Sequence, residues 1–324
     1  MAMEQVNGTG YSIGYKYDHN QNRSTKTCRA GTDYYTYDNQ NKLTGVTGTH
    51  TKSYGYDSNG NCTSIAVGSG GSPPTTYLTY DYENRVTGMM LPGIRTDSFK
   101  YNENDLRIQK VDSSGTHNYI TDGTQVTSDV LSDGFAVYTP GSSERRSGTS
   151  AFYHGDAVGS TRDITNSSQT VTDTRRFDGF GMLMSSTGSN PTPFGFAGGE
   201  QYQTDSDSGL MLLGERYYDN TTGRFIRRDR AYAGSNWYAY CANNPITGVD
   251  PTGLQGPTPV TPTVPIPGKP LPWDNKHSYS NPDNAGKAAV GAAADQGGQY
   301  GPELGGWIVP PRQSERTDRH RKER

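Results

Sequence analysis

A tyrosine followed by aspartate or asparagine recurs at nearly constant intervals along the first third of the chain. The intervals between the five steps are 20, 19, 24 and 21 residues, and the tyrosines are Tyr17, Tyr37, Tyr56, Tyr80 and Tyr101. A constant period of this size is typical of proteins that stack one small structural unit on the next. The repeat therefore predicts an array of similar units, none of which is stable alone.

Each unit has the pattern of a β-hairpin. Tyrosines at alternate positions mark one face of a first strand, as in residues 15–17 and 35–37. The Asp, Asn and Gly residues that follow tolerate left-handed backbone conformations and cap their own backbone. A second strand then begins, for example at residues 42–44 and 85–87. Residues 18–22 and 57–61 also resemble the start of a calcium loop but lack its distal glutamate, so we prefer a turn.

The composition favours a sheet over a helical core. The 324 residues include 41 glycines and 23 tyrosines, whereas apolar residues make up 30% of the chain. Tyrosine and threonine suit a pleated surface, and glycine and asparagine suit its turns. We therefore expect an all-β fold of stacked hairpins.

Other bulk properties exclude several classes of protein. The net charge of -3 favours neither nucleic acid nor an anionic membrane as a partner. No apolar run is long enough to span a membrane, and residues 1–18 contain no apolar signal core. The three cysteines, Cys28, Cys62 and Cys241, are too widely separated for a disulfide framework or a zinc site. We expect no metal and no other cofactor.

The Tyr-Asp steps resemble the YD repeats of the RHS family, whose relatives include the C subunits of Tc toxins and the teneurins. Further motifs of this family follow in the family's order, and together with the repeats they cover residues 11–254. These motifs lie at residues 152–161, 177–181, 194–200, 214–219, 223–226, 243–245 and 250–254. They resemble the RHS repeat-associated core domain, which ends in the family at an Asp-Pro-x-Gly-Leu motif.

The resemblance implies a fold and an activity. In the family, the YD repeats curl into a hollow β-shell, and the core domain forms a plug at one end. In many members the plug is also an aspartyl autoprotease that cuts just after Asp-Pro-x-Gly-Leu. The scissile bond would then join Leu254 to Gln255, and the chain's own C-terminal segment would be freed inside the shell. Five or six hairpins leave sheet edges open, so we also expect an upstream shell or secretion-system components as partners.

Three residues match the catalytic positions of that autoprotease. Asp250 lies in the terminal motif, Asp229 lies 21 residues earlier, and Arg216 matches the assisting arginine. Two neighbouring carboxylates can share one proton, so that one activates water while the other polarises the scissile carbonyl. An arginine beside them stabilises the charge that forms.

One departure from the family pattern affects Asp229. The family has Asp-Pro-x-Gly at this first site as well, whereas Arg230 follows Asp229 here. Without proline, the backbone torsion that aims the carboxylate is not fixed. The cations at positions 224, 227, 228 and 230 would favour an ionised Asp229. The alternative interpretation is structural: residues 250–253 fit a type I turn, and Arg216 with Asp229 fit a buried ion pair.

We divide the chain into four parts. Residues 1–125 are the YD-repeat hairpins, 126–254 the core domain, 255–273 a proline-rich linker, and 274–324 a variable, mostly disordered tail with a short alanine-rich patch at 287–294. The proposed role is to encapsulate or present that tail as part of a polymorphic toxin system, secreted or at the cell surface. Two alternatives remain: a wall-associated adhesion module that binds carbohydrate through its tyrosines, and a small toxin formed by residues 274–324.

Overall fold

The computed structural model describes residues 2–6, 11–93, 95–254 and 258–259. These residues lie within one compact unit, Met1–Thr263. They form β-strands, turns and two short 3₁₀ segments, Gly198–Glu200 and Cys241–Asn243, with no α-helix among them. The prediction of an all-β fold built from stacked antiparallel hairpins is confirmed. The predictions for the linker and the tail lie outside the described residues, apart from two linker residues.

The repeats form one sheet of twelve antiparallel strands, here called the first sheet, in which each strand pairs with the next along the chain. Its strands are β1 (Ala2–Val6), β2 (Tyr11–Tyr17), β3 (Arg23–Cys28), β4 (Gly31–Tyr37), β5 (Leu43–Gly48), β6 (Lys52–Tyr56), β7 (Cys62–Val67), β8 (Thr75–Tyr80), β9 (Val86–Leu91), β10 (Arg95–Tyr101), β11 (Arg107–Asp112) and β12 (Gly115–Asn118).

A second sheet of eight sequential strands follows, and then a small four-stranded sheet. The second sheet contains β13 (Ile120–Thr121), β14 (Val130–Ser132), β15 (Ala136–Thr139), β16 (Ser143–Arg146), β17 (Thr149–Gly155), β18 (Thr161–Asn166), β19 (Val171–Phe177) and β20 (Leu183–Thr187). The four-stranded sheet contains β21 (Gln203–Thr204), β22 (Met211–Leu213), β23 (Arg216–Asp219) and β24 (Arg224–Phe225). A last two-stranded ladder joins β25 (Gly248–Val249) and β26 (Thr258–Pro259).

The Tyr-Asp step marks the end of the first strand in every repeat. Each of the five tyrosines is the last residue of its strand, and the next residue turns the chain. Asp18 Oδ1, for example, accepts the backbone N–H groups of Asn20 and Asn22, at 2.9 and 2.8 Å. The residue three positions after each aspartate or asparagine has a positive φ, as in Gln21 (63°) and Asn41 (62°). The turn is therefore specified by side chains that hydrogen-bond to their own backbone.

The hydroxyls of three repeat tyrosines, Tyr37, Tyr80 and Tyr101, join successive hairpins. The hydroxyl of Tyr80 donates to the carbonyl of Cys62 at 2.7 Å, and that of Tyr101 donates to the carbonyl of Val86 at 2.8 Å. Each acceptor belongs to the first residue of the second strand in the preceding hairpin. The tyrosine ladder therefore satisfies polar groups within the protein.

The four-stranded sheet is covered on both faces. Met211, Leu213, Tyr218 and Phe225 pack in one hydrophobic cluster with residues such as Ile13 of the first sheet. The alternate residues Leu210, Leu212, Tyr217 and Ile226 pack in a second cluster, formed largely by the side chains of β7–β10. Since side chains of a strand alternate between faces, the small sheet is buried against other elements on both sides. This burial fixes the backbone that carries the candidate site.

Turns of the repeat type continue into the second sheet. Asp156 Oδ1 accepts the N–H groups of Val158 and Ser160, and Asp178 Oδ1 accepts those of Phe180 and Met182. Both aspartates lie in motifs that resemble the core domain, at residues 152–161 and 177–181, and hairpin turns were not predicted there. The division of the chain into domains remains a prediction, although the pairing does break between Asn118 and Ile120.

Candidate autoproteolytic site

Arg216 begins strand β23 and is held from several sides. Its side chain is 1% exposed and its guanidinium carbon lies 3.5 Å from the centre of the Phe225 ring. Nη1 donates to the carbonyl of Trp237 at 3.0 Å, and Nε donates to the carbonyl of Gly253. The third nitrogen, Nη2, is directed at two carboxylates. Arg216 thus connects the four-stranded sheet to the terminal Asp-Pro-Thr-Gly-Leu segment.

Asp229 lies in the loop after β24, and hydrogen bonds orient its carboxylate. Its Oδ2 is 3.5 Å from Arg216 Nη2, while its Oδ1 accepts the N–H of Ala231 at 2.7 Å. Its own N–H donates to the carbonyl of Trp237 at 3.0 Å. The bond from Ala231 turns the chain beside the carboxylate, which is the task that the sequence analysis assigned to the missing proline.

Asp250 is fully buried and is the other carboxylate on Arg216. Its Oδ2 lies 3.3 Å from Nη2, and its backbone N–H donates to the hydroxyl of Tyr202 at 2.6 Å. The carbonyl of Asp250 accepts the N–H of Gly253, so the segment forms the turn that its Asp-Pro-x-Gly pattern predicts. Gly253 has a φ of 69°, in the left-handed region that favours glycine.

The structure therefore brings Arg216, Asp229 and Asp250 together through a single nitrogen atom. All three are at least 98% buried. Burial lowers the pKa of Arg216 to about 10, against the opposing effect of Asp229 and Asp250, so the guanidinium stays charged at neutral pH. One guanidinium thus faces two buried carboxylates.

The arginines next to Asp229 in sequence contact other groups. Arg224 donates to Asn22 and Asn236, Arg228 stacks on Trp237, and Arg230 donates to Glu215. In the described part of the chain, none of the four lies within ion-pair distance of Asp229. Among the described residues, Arg216 is the cation that contacts the carboxylate of Asp229.

The predicted cleavage position lies at the edge of this site. Leu254 is half-buried, and its N–H donates to Thr252 Oγ1 at 3.2 Å. The preceding carbonyl, that of Gly253, is held by Arg216. Gln255 lies outside the described residues. The assigned cleavage bond therefore lies one residue beyond the carbonyl that Arg216 holds.

Neighbouring residues that sequence analysis missed complete the surroundings. Glu215 donates its N–H to the carbonyl of Thr252 at 3.0 Å, and burial raises the pKa of its carboxyl group despite Arg230 and Arg227. Tyr202 holds the backbone of Asp250, as described above. Glu215 lies within the motif at residues 214–219, so the sequence does indicate its position beside Arg216. Nothing in the sequence distinguishes Tyr202 from the other 22 tyrosines.

Metal binding and thiol chemistry find no support among the described residues. The described residues contain no group of three or more His, Cys, Asp or Glu side chains arranged to hold a metal ion. Burial raises the pKa of the free thiols of Cys62 and Cys241 to about 12, so neither is a nucleophile at neutral pH. Within the described ranges, no helix has the length and apolar character needed to cross a membrane.

The chain is similar in sequence to segments of several longer bacterial proteins. It is 30% identical over 174 residues to the tRNA3(Ser)-specific nuclease WapA of Bacillus spizizenii, a match that covers 48% of this chain and 7% of the relative. It is 33% identical over 121 residues to double-stranded DNA deaminase toxin A of Burkholderia cenocepacia, covering 35% and 8%. The chain thus spans less than a tenth of these curated relatives. No family model matches it.

The chain also aligns with parts of several solved structures. The TcdB2-TccC3-TEV crystal structure aligns with 75% of this chain and 17% of its own chain, at a TM-score of 0.45 and 17% identity. A Photorhabdus luminescens Tc holotoxin pore aligns with 76% of this chain and 17% of its own, at the same TM-score and identity.

Proposed function

We propose that the chain is part of an RHS-type toxin, and that its plug cuts the chain once, after Leu254. The observation that carries the proposal is the position of Asp229 and Asp250, whose Oδ2 atoms both lie within 3.5 Å of Arg216 Nη2. Aspartyl proteolysis uses two carboxylates that share one proton, and the two buried carboxylates here meet at one nitrogen atom. Asp250 lies four residues before the assigned bond, so the substrate is already attached.

The reaction is a hydrolysis in which the ionised carboxylate takes a proton from water. The hydroxide oxygen attacks the carbonyl carbon of Leu254 while the protonated carboxyl group donates a hydrogen bond to the carbonyl oxygen. The carbon–nitrogen bond then breaks, and a proton passes to the departing nitrogen of Gln255. We assign the base to Asp229, whose Oδ1 accepts the backbone N–H of Ala231 at 2.7 Å. Asp250 is then the acid, and Arg216 stabilises the pair throughout.

The freed segment is the variable C-terminal part of the chain. The relatives reported above are named as a tRNA nuclease and a DNA deaminase toxin. We propose that this chain likewise belongs to a polymorphic toxin system, secreted or at the cell surface, and that an upstream RHS shell is its partner. The open edges of the first and second sheets are consistent with such a partner.

Substitution of each carboxylate tests the proposal. We expect Asp229→Asn and Asp250→Asn to abolish the fragment that ends at Leu254, as followed by intact mass over time in the purified full chain. Arg216→Lys should slow its formation, because lysine cannot hold Gly253, Trp237 and the carboxylates in one plane. Glu103→Gln makes the same carboxyl-to-amide change at an exposed position and should cut at the wild-type rate. Unchanged cutting in both aspartate variants would rule out the dyad.

A further inference from the structure

The chain returns to the plug after the assigned cleavage bond. Strand β26, Thr258–Pro259, pairs antiparallel with β25, Gly248–Val249, with Val249 opposite Thr258 and Gly248 opposite Pro259. Strand β25 directly precedes Asp250. The eight residues that connect the two strands therefore include both the candidate acid and the bond between Leu254 and Gln255.

The two strands differ in how firmly they are held. Val249 is 4% exposed and packs in the hydrophobic cluster that contains Tyr218 and Phe225. The carbonyl of Gly248 accepts the thiol of Cys241 at 3.3 Å. Thr258 and Pro259, by contrast, are exposed. Strand β25 is thus fixed by buried contacts, whereas β26 is an exposed strand that pairs with it.

Recognition at this ladder uses the backbone. Proline has no N–H, so Pro259 cannot donate to Gly248, and the donor that β26 supplies to the ladder is the N–H of Thr258. Because the side chains of β26 face solvent, they contribute little to the pairing. Addition of an extended strand to a sheet edge in this way binds a peptide with little regard to its sequence.

We propose that β25 is the substrate-binding strand for the downstream side of the scissile bond. It takes an extended peptide segment with a free N–H at the fourth residue after the cut. This inference rests on the proposed self-cleavage and adds the means by which the bond is positioned. Holding the chain on both sides of the bond places the Leu254 carbonyl against the carboxylates and lowers the entropic cost of the reaction. Thr258 is a positioning residue in this scheme.

Two substitutions at one position separate the backbone from the side chain. Thr258→Pro removes the N–H, and we expect self-cleavage of the full chain to slow at least tenfold. Thr258→Ala keeps the N–H and removes an exposed side chain, so its rate should stay within twofold of wild type. The melting temperature should be the same in both variants, because β26 is exposed. Equal cleavage rates in the two variants would overturn the inference while leaving the aspartate dyad intact.

A second measurement does not depend on cleavage. In the Asp229→Asn chain, which stays intact in this scheme, the Thr258 amide should exchange slowly with deuterium. The Thr258→Ala variant should keep that protection in the same background. Rapid exchange at Thr258 would overturn the ladder itself. If the Thr258 amide exchanges slowly but the wild-type chain is never cleaved, the proposed function is contradicted. The pairing of β25 with β26 would still hold in that case.

Discussion

Asp97 is a buried carboxylate that lies among other acids. It is 1% exposed, and burial together with Asp207, Asp112 and Asp205 raises its pKa to about 6, against the opposing effect of Arg95. Because this pKa lies above the ordinary value, the folded chain binds the proton more tightly than the unfolded chain does. The contribution of Asp97 to stability therefore falls as the pH rises from about 4 to about 6 and stays low above that.

The raised pKa of Asp97 gives the first prediction. Asp97→Asn removes a charge that the fold disfavours, so we expect a gain of about 1 to 2 kcal/mol at pH 7.5, seen as a higher melting temperature. The gain should disappear below about pH 4, where the wild-type carboxyl is protonated in both states. Equal melting temperatures at pH 7.5, or a gain that grows on acidification, would contradict the assignment.

Sequence motifs predicted some residues of the candidate site, whereas other residues are recognised only from the structure. Asp229, Asp250 and Arg216 could be proposed from short motifs because their spacing along the chain is fixed. The contact of Tyr202 with the backbone of Asp250 spans 48 residues, and no local pattern encodes it. The same limit applies to Arg224, whose partner Asn22 lies 202 residues away along the chain.

The hydroxyl of Tyr101 joins one hairpin to the preceding one and gives the second prediction. Tyr101→Phe removes its bond to the carbonyl of Val86 and should cost about 1 kcal/mol of stability. Tyr82→Phe is the matched control, because Tyr82 is fully exposed and its hydroxyl faces water. Calorimetry should show a lower melting temperature for the Tyr101 variant and an unchanged melting temperature for the Tyr82 control. Equal effects would mean that the hydroxyl ladder does not stabilise the array.

A buried ion pair connects the first sheet to the second and gives the third prediction. Lys26 Nζ on β3 lies 3.1 Å from Asp178 Oδ2, and both side chains are almost completely buried. Lys26→Ala leaves the carboxylate buried without its cation, which should cost about 3 kcal/mol. The surface pair Lys42 with Asp38 is more exposed, so Lys42→Ala should cost about 0.5 kcal/mol at most. A similar loss in both variants would contradict a special role for the buried pair.

Prediction of the elements succeeded where the repeat supplied redundant signals. In the first sheet each of the five repeat turns has a tyrosine before it and an aspartate or asparagine at its start, and the strands before these turns end where the pattern places them. In the second sheet the turn residue is kept but the tyrosine is not, as with Gly155 before Asp156 and Thr165 before Asn166. The hydrogen bonds of these turns are equivalent, so the aspartate specifies the turn and the tyrosine specifies the stacking.

For the whole molecule, composition and period predicted the all-β architecture, because few apolar residues and many tyrosines suit stacked hairpins. They did not predict that the chain divides into sheets of twelve, eight and four strands. That division depends on burial: the four-stranded sheet is packed on both faces, and strand period alone does not distinguish one buried face from two. The burial on both faces is what holds Arg216 against two carboxylates.

The mass of the purified chain after incubation in ¹⁸O-labelled water tests the central claim most directly. We predict two fragments, one ending at Leu254 with a single ¹⁸O atom in its new carboxyl group, and one beginning at Gln255. Asp250→Asn should give neither. A wild-type chain that remains intact, or one cut only at another bond such as Asp250–Pro251, would contradict the account.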